Sequence, residues 1–142
     1  MRFMMMVKAS QDSEAGVLPS RELVAAMGKY NEELIKAGVM LAGEGLHASS
    51  KGARVSYSGE RRSVTDGPFT ETKELIAGYW LIQVSSKEEA IEWAKRVPFE
   101  DGELEIRQVS EASDFPPEIL PPEEAERERA MLEELQRKAA KP

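Results

Sequence analysis

Two hydrophobic patterns alternate along the first part of the chain. Residues 2–9 form a nearly continuous apolar run, which is typical of a strand covered on both faces, and a polar loop is expected after it. Apolar residues then recur every three or four positions, which predicts a helix with Ser20 as its N-cap and Gly38 as its stop. Residues 39–47 follow as a second strand. The predicted order is therefore strand, helix, strand.

The same order repeats further along. Residues 75–84 have the richest β-forming composition of the chain and predict its central strand. Ser86 and Glu89 have the spacing of a capping box, so a second helix is expected to begin there and to end before Pro98. Residues 103–109 alternate like a half-exposed strand.

Between the two repeats, a small hairpin is predicted. Residues 54–58 and 62–65 have strand character, and a Gly-Glu pair separates them. We interpret the hairpin as an insertion between the second and third main strands.

Two β-α-β halves in a short chain indicate an α+β fold of the ferredoxin-like type, βαββαβ, with an antiparallel sheet and both helices on one face. The strands, among them Leu41, Tyr79 and Leu81, carry more apolar surface than two helices cover. An exposed sheet face of this kind generally becomes an interface or a pocket, so we expect a homodimer packed sheet to sheet.

The chain changes character after the last strand. We divide it into a domain at residues 1–112 and an appendage at residues 113–142, in which a Pro-rich spacer precedes a helix at residues 123–140. The apolar stripe of this helix is thin. The helix is expected to dock on the domain or on a second subunit, or else to be partly frayed.

The composition of the chain argues against several classes of function. The 142 residues carry a net charge of −7, which argues against a nucleic-acid partner. The apolar N-terminal run is too short for a signal peptide or a membrane span. The chain has no cysteine, which fits a cytoplasmic protein and, together with a single histidine, leaves little to hold a metal. We expect neither metal nor cofactor.

The only histidine, His47, ends the second predicted strand, and Asp66 precedes the central one. Because these strands are antiparallel neighbours in the predicted fold, His47 and Asp66 are expected to meet at the rim of a cleft. A carboxylate that orients an imidazole prepares it for proton transfer. The alternative is that His47 satisfies a loop carbonyl and Asp66 caps the turn that follows it. Four further residues are candidates for binding a substrate: Glu44, Lys73, Gly78 and Tyr79.

Three segments together resemble a known family: residues 43–47 (GEGLH), 66–74 (DGPFTETKE) and 78–82 (GYWLI). They are similar to the YCII-related, or DGPF-domain, proteins over about residues 1–109. The resemblance implies a dimeric α+β barrel fold with ferredoxin-like subunits. It also implies an active site built on a His–Asp pair, which corresponds to His47 and Asp66.

These observations lead to two hypotheses about function. The first is a cofactor-independent enzyme that acts on a small molecule, with His47 and Asp66 transferring a proton in a lyase or isomerase step. The second is a dimeric module that binds a small ligand, or regulates a partner, without catalysis. A third hypothesis is that the dimer has a purely structural role, in which the final helix strengthens the assembly of the two subunits.

Overall fold

The computed structural model describes residues 1–140, so the last two residues of the predicted appendage lie outside the described residues. It contains six strands: β1 (Arg2–Lys8), β2 (Met40–Gly45), β3 (Ala53–Ser58), β4 (Arg61–Asp66), β5 (Ile76–Gln83) and β6 (Leu104–Gln108). The α-helices are α1 (Gln11–Glu14), α2 (Arg21–Lys36), α3 (Lys87–Lys95) and α4 (Pro122–Ala140). Short 3-10 turns lie at Ser49–Lys51, Thr72–Glu74 and Ala112–Asp114.

Four strands form one antiparallel sheet in the order β2-β5-β1-β6, and β3 pairs only with β4 in a separate ribbon. The main elements therefore follow the ferredoxin-like order β1-α2-β2-β5-α3-β6, with the hairpin inserted before β5. This confirms the predicted fold class. The chain divides into two compact units, Met1–Gln108 and a second one that begins at Val109.

The core lies between the sheet and helices α2 and α3. Side chains that alternate along β1 and β5 point into it, and Phe3, Met5 and Ile82 are at most 2% exposed. Helix α2 contributes Tyr30 and Leu34, while α3 contributes Ala90. Helix α2 begins where the Ser20 hydroxyl accepts a hydrogen bond from the Leu23 amide at 3.1 Å.

Tyr30 links α2 to the sheet and to α3. Its ring meets Trp80 edge to face, with 5.5 Å between centroids, and its hydroxyl donates to the Trp93 carbonyl at 2.7 Å. Burial raises the pKa of Tyr30 to about 12, from an ordinary value of 10.0. The unfolded chain therefore releases this proton at lower pH than the folded chain does.

We expect Tyr30→Phe to lower the free energy of unfolding by about 1 kcal/mol at neutral pH, because the Trp93 carbonyl loses its donor. In the wild type, the stability that comes from the protonated phenol is complete below pH 10 and is lost as the pH rises towards 12. Urea unfolding at pH 9 and pH 11 measures this loss. Tyr30→Phe should lose less stability over that interval than the wild type. The exposed Tyr57→Phe is the control and should follow the wild type; equal losses in all three proteins would contradict the prediction.

The opposite face of the sheet is not covered by α2 or α3, which both pack on the core side. Its side chains lie in two rows across the strands: Ala42, Leu81, Met4 and Arg107, then Glu44, Tyr79, Met6 and Glu105. The central four, which are apolar or aromatic, are half-buried, and charged residues lie at three of the four ends of the rows. We call Met4, Met6, Tyr79 and Leu81 the open sheet face. Lys8 lies 3.3 Å from Glu105 and lowers its pKa by a hydrogen bond to the carboxylate.

The hairpin of β3 and β4 is exposed along its whole length. Its register places Val55 opposite Val64 and Tyr57 opposite Arg62, whose guanidinium lies 4.9 Å from the tyrosine ring centre. The other face of the ribbon carries arginine, serine and threonine side chains. The predicted hairpin is present, and each strand is one residue longer at one end or both.

Several local predictions differ from the structure. The predicted polar loop after β1 contains α1, because Ser10 and Ser13 exchange side-chain hydrogen bonds with each other's amides and close one helical turn. Strand β2 ends at Gly45, so His47 lies in the loop beyond it. The Glu89 carboxylate binds the amide and hydroxyl of Ser85 rather than the Ser86 amide, and these bonds lower the pKa of Glu89.

In the second unit, α4 begins at Pro122, inside the predicted spacer, because proline suits the first turn of a helix. The preceding 3-10 turn is closed by the Asp114 carboxylate, which accepts from the Glu111 amide at 2.8 Å. Among residues 1–140, no helix combines the length and the apolar composition that crossing a membrane requires.

Candidate functional site

Two loops meet beside the end of β2. The first follows β2 at residues 46–52, and the second is the DGPF motif, residues 66–69, whose first residue is the last one of β4. Gly67 donates its amide to the Gly52 carbonyl at 3.0 Å, and Leu46 donates to Ala77 of β5 at 2.8 Å. We call these two loops, together with Glu14, the loop junction.

Gly67 brings the DGPF motif close to the main chain of the first loop. A Cβ atom on this residue would lie 1.7 Å from the Ser49 carbonyl oxygen and 2.6 Å from the carbonyl carbon. Both are backbone atoms, so they are less able to move aside than the end of a side chain. The peptide bond between Gly67 and Pro68 is cis. Because a Cβ at position 67 would clash with the backbone of Ser49, only glycine fits there.

Ser49 connects three segments of the junction. Its amide donates to Glu14 Oε1 at 3.0 Å, and its hydroxyl donates to Glu14 Oε2. The same hydroxyl oxygen accepts the Phe69 amide at 3.0 Å. The hydrogen bonds from Ser49, first from its side chain and then from its backbone, lower the pKa of Glu14. The sequence did not point to Glu14 as part of the site, because its partner is 35 residues away.

The DGPF motif also contacts the hairpin, through Arg54 of β3. The Arg54 guanidinium lies 3.8 Å from the centre of the Phe69 ring, and Arg54 Nη2 lies 3.4 Å from Glu71 Oε2. A cation over an aromatic face and a partly exposed ion pair each contribute modestly. Together they fix the side chain of Phe69 beside β3.

The structure brings the loop of His47 and the motif of Asp66 together through their main chains. His47 is exposed, two residues beyond the end of β2. Asp66 is exposed as well and is the last residue of β4, opposite Ala53. Within residues 1–140, no hydrogen bond or ion pair joins the two side chains, and neither binds another protein group. The His47 imidazole is therefore exposed to solvent and makes no hydrogen bond or ion pair with the described residues.

The profile of the YCII-related domain matches residues 1–113, about four fifths of the chain. The chain belongs to the YCII-related domain family. This confirms the resemblance seen in the sequence motifs.

Two comparisons place this YCII-related chain among known proteins. An uncharacterised protein of Rhizobium meliloti (strain 1021) is 35% identical over 75 residues, and the match spans 53% of this chain and 57% of that protein. The structure of 5-chloro-2-hydroxyhydroquinone dehydrochlorinase from Burkholderia phenoliruptrix AC1100, in complex with 2,5-dihydroxybenzoquinone, covers 82% of this chain and 100% of its own. The identity is 15% and the TM-score 0.40, so this similarity says nothing about what the YCII-related chain binds.

The other predicted binding residues lie in different places on the YCII-related domain. Glu44 and Tyr79 are direct cross-strand partners on the uncovered side of the sheet. Lys73 is exposed in the 3-10 turn before β5. Gly78 is buried opposite Gly45, and a Cβ there would lie 2.9 Å from the Glu44 carbonyl oxygen. The space beside Gly78 is thus filled by the main chain of β2.

A surface depression of about 390 Å³ lies away from all of these residues. It is formed by the start of α2 and the loop after α3, and residues 98–101 line one side of it. In the described part of the chain, no group of three or more His, Asp or Glu side chains is arranged to hold a metal ion.

Proposed function

We propose that this YCII-related protein is an enzyme that binds a small polar molecule at the loop junction, where His47 transfers a proton without a cofactor. The observation that supports the proposal is the position of His47. Its imidazole is exposed and free of protein partners, on a loop whose main chain is held by the DGPF motif. Few side chains other than histidine accept and release a proton near neutral pH without strong perturbation.

The proposed reaction is a lyase or isomerase step. The neutral imidazole takes a proton from a carbon or oxygen atom of the ligand and then returns it to another atom, or to a leaving group. The Asp66 carboxylate orients the imidazole and stabilises its protonated form once the ligand closes the space between them. Hydrogen bonds of catalytic groups often shorten only in the complex, which is consistent with the open arrangement of the two side chains.

The ligand contacts follow from the candidate binding residues. Lys73, in the turn that follows the DGPF motif, supplies a positive charge for a carboxylate. Glu44 and Tyr79, a cross-strand pair next to the last residue of β2, supply an acceptor and a phenolic donor for hydroxyl groups. Because Tyr79 also belongs to the open sheet face, the proposed ligand site extends from the loop junction to the border of that face. Gly78 acts indirectly, since it allows β2 to approach β5 at the position of Glu44. Small hydroxylated carboxylic acids therefore match the charges and donors of this set.

We further propose that two copies pack through the open sheet face. Its apolar centre and charged margin match the usual arrangement of a protein interface. Such a homodimer agrees with the dimeric barrel that the family resemblance implies. The proposed compartment is the cytoplasm, on the basis of the composition.

A binding module without catalysis is the second candidate. It is favoured by the lack of a hydrogen bond between His47 and Asp66, because an imidazole that no carboxylate orients is a weaker acid–base catalyst. In that case the junction holds the same class of ligand, and His47 contributes only a hydrogen bond.

A screen of small hydroxylated carboxylic acids by thermal shift tests the proposal. We expect a compound that raises the melting temperature of the wild type and has little effect on His47→Ala or Asp66→Asn. Glu60→Ala, an exposed acid at the hairpin turn, is the control and should respond like the wild type.

The same compound, incubated in deuterium oxide and followed by NMR, separates the two candidates. Exchange or conversion by the wild type that is lost in His47→Ala supports catalysis. Binding without exchange or conversion supports the module. A compound that stabilises the wild type and His47→Ala equally would show that the ligand site lies elsewhere.

A further inference from the structure

Glu14 and Ser49 lie outside the residues that the sequence suggested for the site, yet they form its hydrogen-bonded centre. We infer that Glu14 and Ser49 are positioning residues, which hold the DGPF motif against the loop that carries His47. The inference rests on the proposed function of the loop junction. We call the hydrogen bonds among Glu14, Ser49 and Phe69 the junction clamp.

The clamp joins parts of the chain that are distant in sequence. Glu14 and Ser49 are 35 residues apart, and Ser49 and Phe69 are 20 residues apart. Ser49 follows His47 by two residues, and Phe69 follows Asp66 by three. A change at the clamp therefore moves both members of the proposed pair relative to each other.

Glu14 is itself held firmly in place. Ser10 and Ser13 close the turn of α1 through reciprocal hydrogen bonds of 2.8 and 3.1 Å. The Ala15 amide donates to Gln11, and the Val17 amide donates to Asp12, each at 2.9 Å. The carboxylate is thus presented to Ser49 from a compact turn directly after β1.

The bonding of Ser49 argues for positioning rather than for direct chemistry. Its hydroxyl proton is donated to Glu14, and its oxygen accepts the Phe69 amide. A hydroxyl has only one proton to donate. It is therefore engaged in joining segments, whereas the imidazole of His47 on the same loop is exposed to solvent.

The clamp gives a role to the polar side chains of Ser49 and Glu14, which lie between the first loop and the DGPF motif. Gly67 brings the motif to the Ser49 carbonyl, but the hydrogen bond from Gly67 to Gly52 fixes only one end of the motif. The Phe69 amide is the other end. The Ser49 hydroxyl provides its acceptor, and Glu14 fixes the orientation of that hydroxyl.

Amide hydrogen exchange and histidine NMR signals test the inference on the full chain without any ligand. We expect the Phe69 amide to exchange roughly three- to tenfold faster in Ser49→Ala than in the wild type, the ratio that corresponds to losing one ordinary hydrogen bond. The His47 imidazole signals should shift in the same variant. Ser50→Ala removes a neighbouring exposed hydroxyl that makes no side-chain hydrogen bond, so it should change neither measurement.

Two further variants complete the design. Ser49→Thr keeps the hydroxyl and should restore slow exchange of the Phe69 amide together with wild-type His47 signals. Glu14→Gln leaves Ser49 in place and should reproduce the effects of Ser49→Ala in weaker form, and it substitutes for Ser49→Ala if that variant does not fold. A merely structural role for Ser49 predicts faster exchange without any change at His47.

The outcomes are distinct. Unchanged exchange of the Phe69 amide in Ser49→Ala would show that the clamp does not hold the motif. Faster exchange with unaltered His47 signals would show that it holds the motif but does not position His47. If both measurements change but no ligand stabilises the wild type in the thermal-shift screen, the clamp stands and the proposed function fails.

Discussion

Gly67→Ala is expected to lower the free energy of unfolding by about 2–3 kcal/mol, which corresponds to a fall in melting temperature of about 10 °C. The new Cβ would lie 1.7 Å from the carbonyl oxygen of Ser49, so one of the two loops has to move. That movement breaks the hydrogen bond from Gly67 to Gly52 and strains the junction clamp. Thermal and urea unfolding followed by circular dichroism measure the change.

Gly52→Ala is the matched control in the same junction. A Cβ at this position would lie 3.5 Å from the Ser49 carbonyl oxygen, which is ordinary contact, and the backbone there is extended. This variant should remain within about 0.5 kcal/mol of the wild type. Equal stability of Gly67→Ala and Gly52→Ala would contradict the close approach of the two loops.

Leu81→Arg is expected to abolish the proposed homodimer. Leu81 lies between Ala42 and Met4 on the open sheet face, so a second copy packed there would bury the new guanidinium. Desolvation of an unpaired charge costs several kcal/mol, and we expect the dissociation constant to rise by at least about 100-fold. The variant should sediment as a monomer at concentrations at which the wild type is a dimer.

Leu18→Arg makes the same substitution at a residue that is 85% exposed, in the loop before α2, and should sediment like the wild type. Circular dichroism verifies that each variant is folded. A dimeric Leu81→Arg protein would place the interface elsewhere on the chain. A monomeric wild type would remove the homodimer from the proposal and leave the loop junction as a site within one subunit.

The fold was predictable because its main elements bury apolar side chains at regular intervals. Phe3, Met5 and Ile82 follow the period of a strand, while Tyr30 and Leu34 follow that of a helix, and all five are in the core. Helix α1 was missed because four residues are too few to show a period. Its turn depends on the hydroxyls of Ser10 and Ser13, and serine is as typical of a loop as of the start of a helix.

The site was predictable only in part, since its contacts are tertiary. The adjacency of β2 and β5 was derived correctly from the order of elements, and it brings the loop of His47 near the start of β5. Asp66, however, belongs to the ladder of the inserted hairpin, where it pairs with Ala53. No local pattern specifies the bonds of Glu14 to Ser49 or the approach of Gly67 to Ser49.

The hairpin leaves the loop junction at Ala53 and returns to it at Asp66, and these two residues face each other. One cross-strand pair can therefore be removed from its tip, or one added, without altering the span between the two ends. The hairpin can therefore be lengthened or shortened at its tip while the loop junction at its base keeps its geometry. Beyond Arg54, which contacts Phe69, the ribbon is a region in which a protein engineer can vary length and surface chemistry without changing the loop junction.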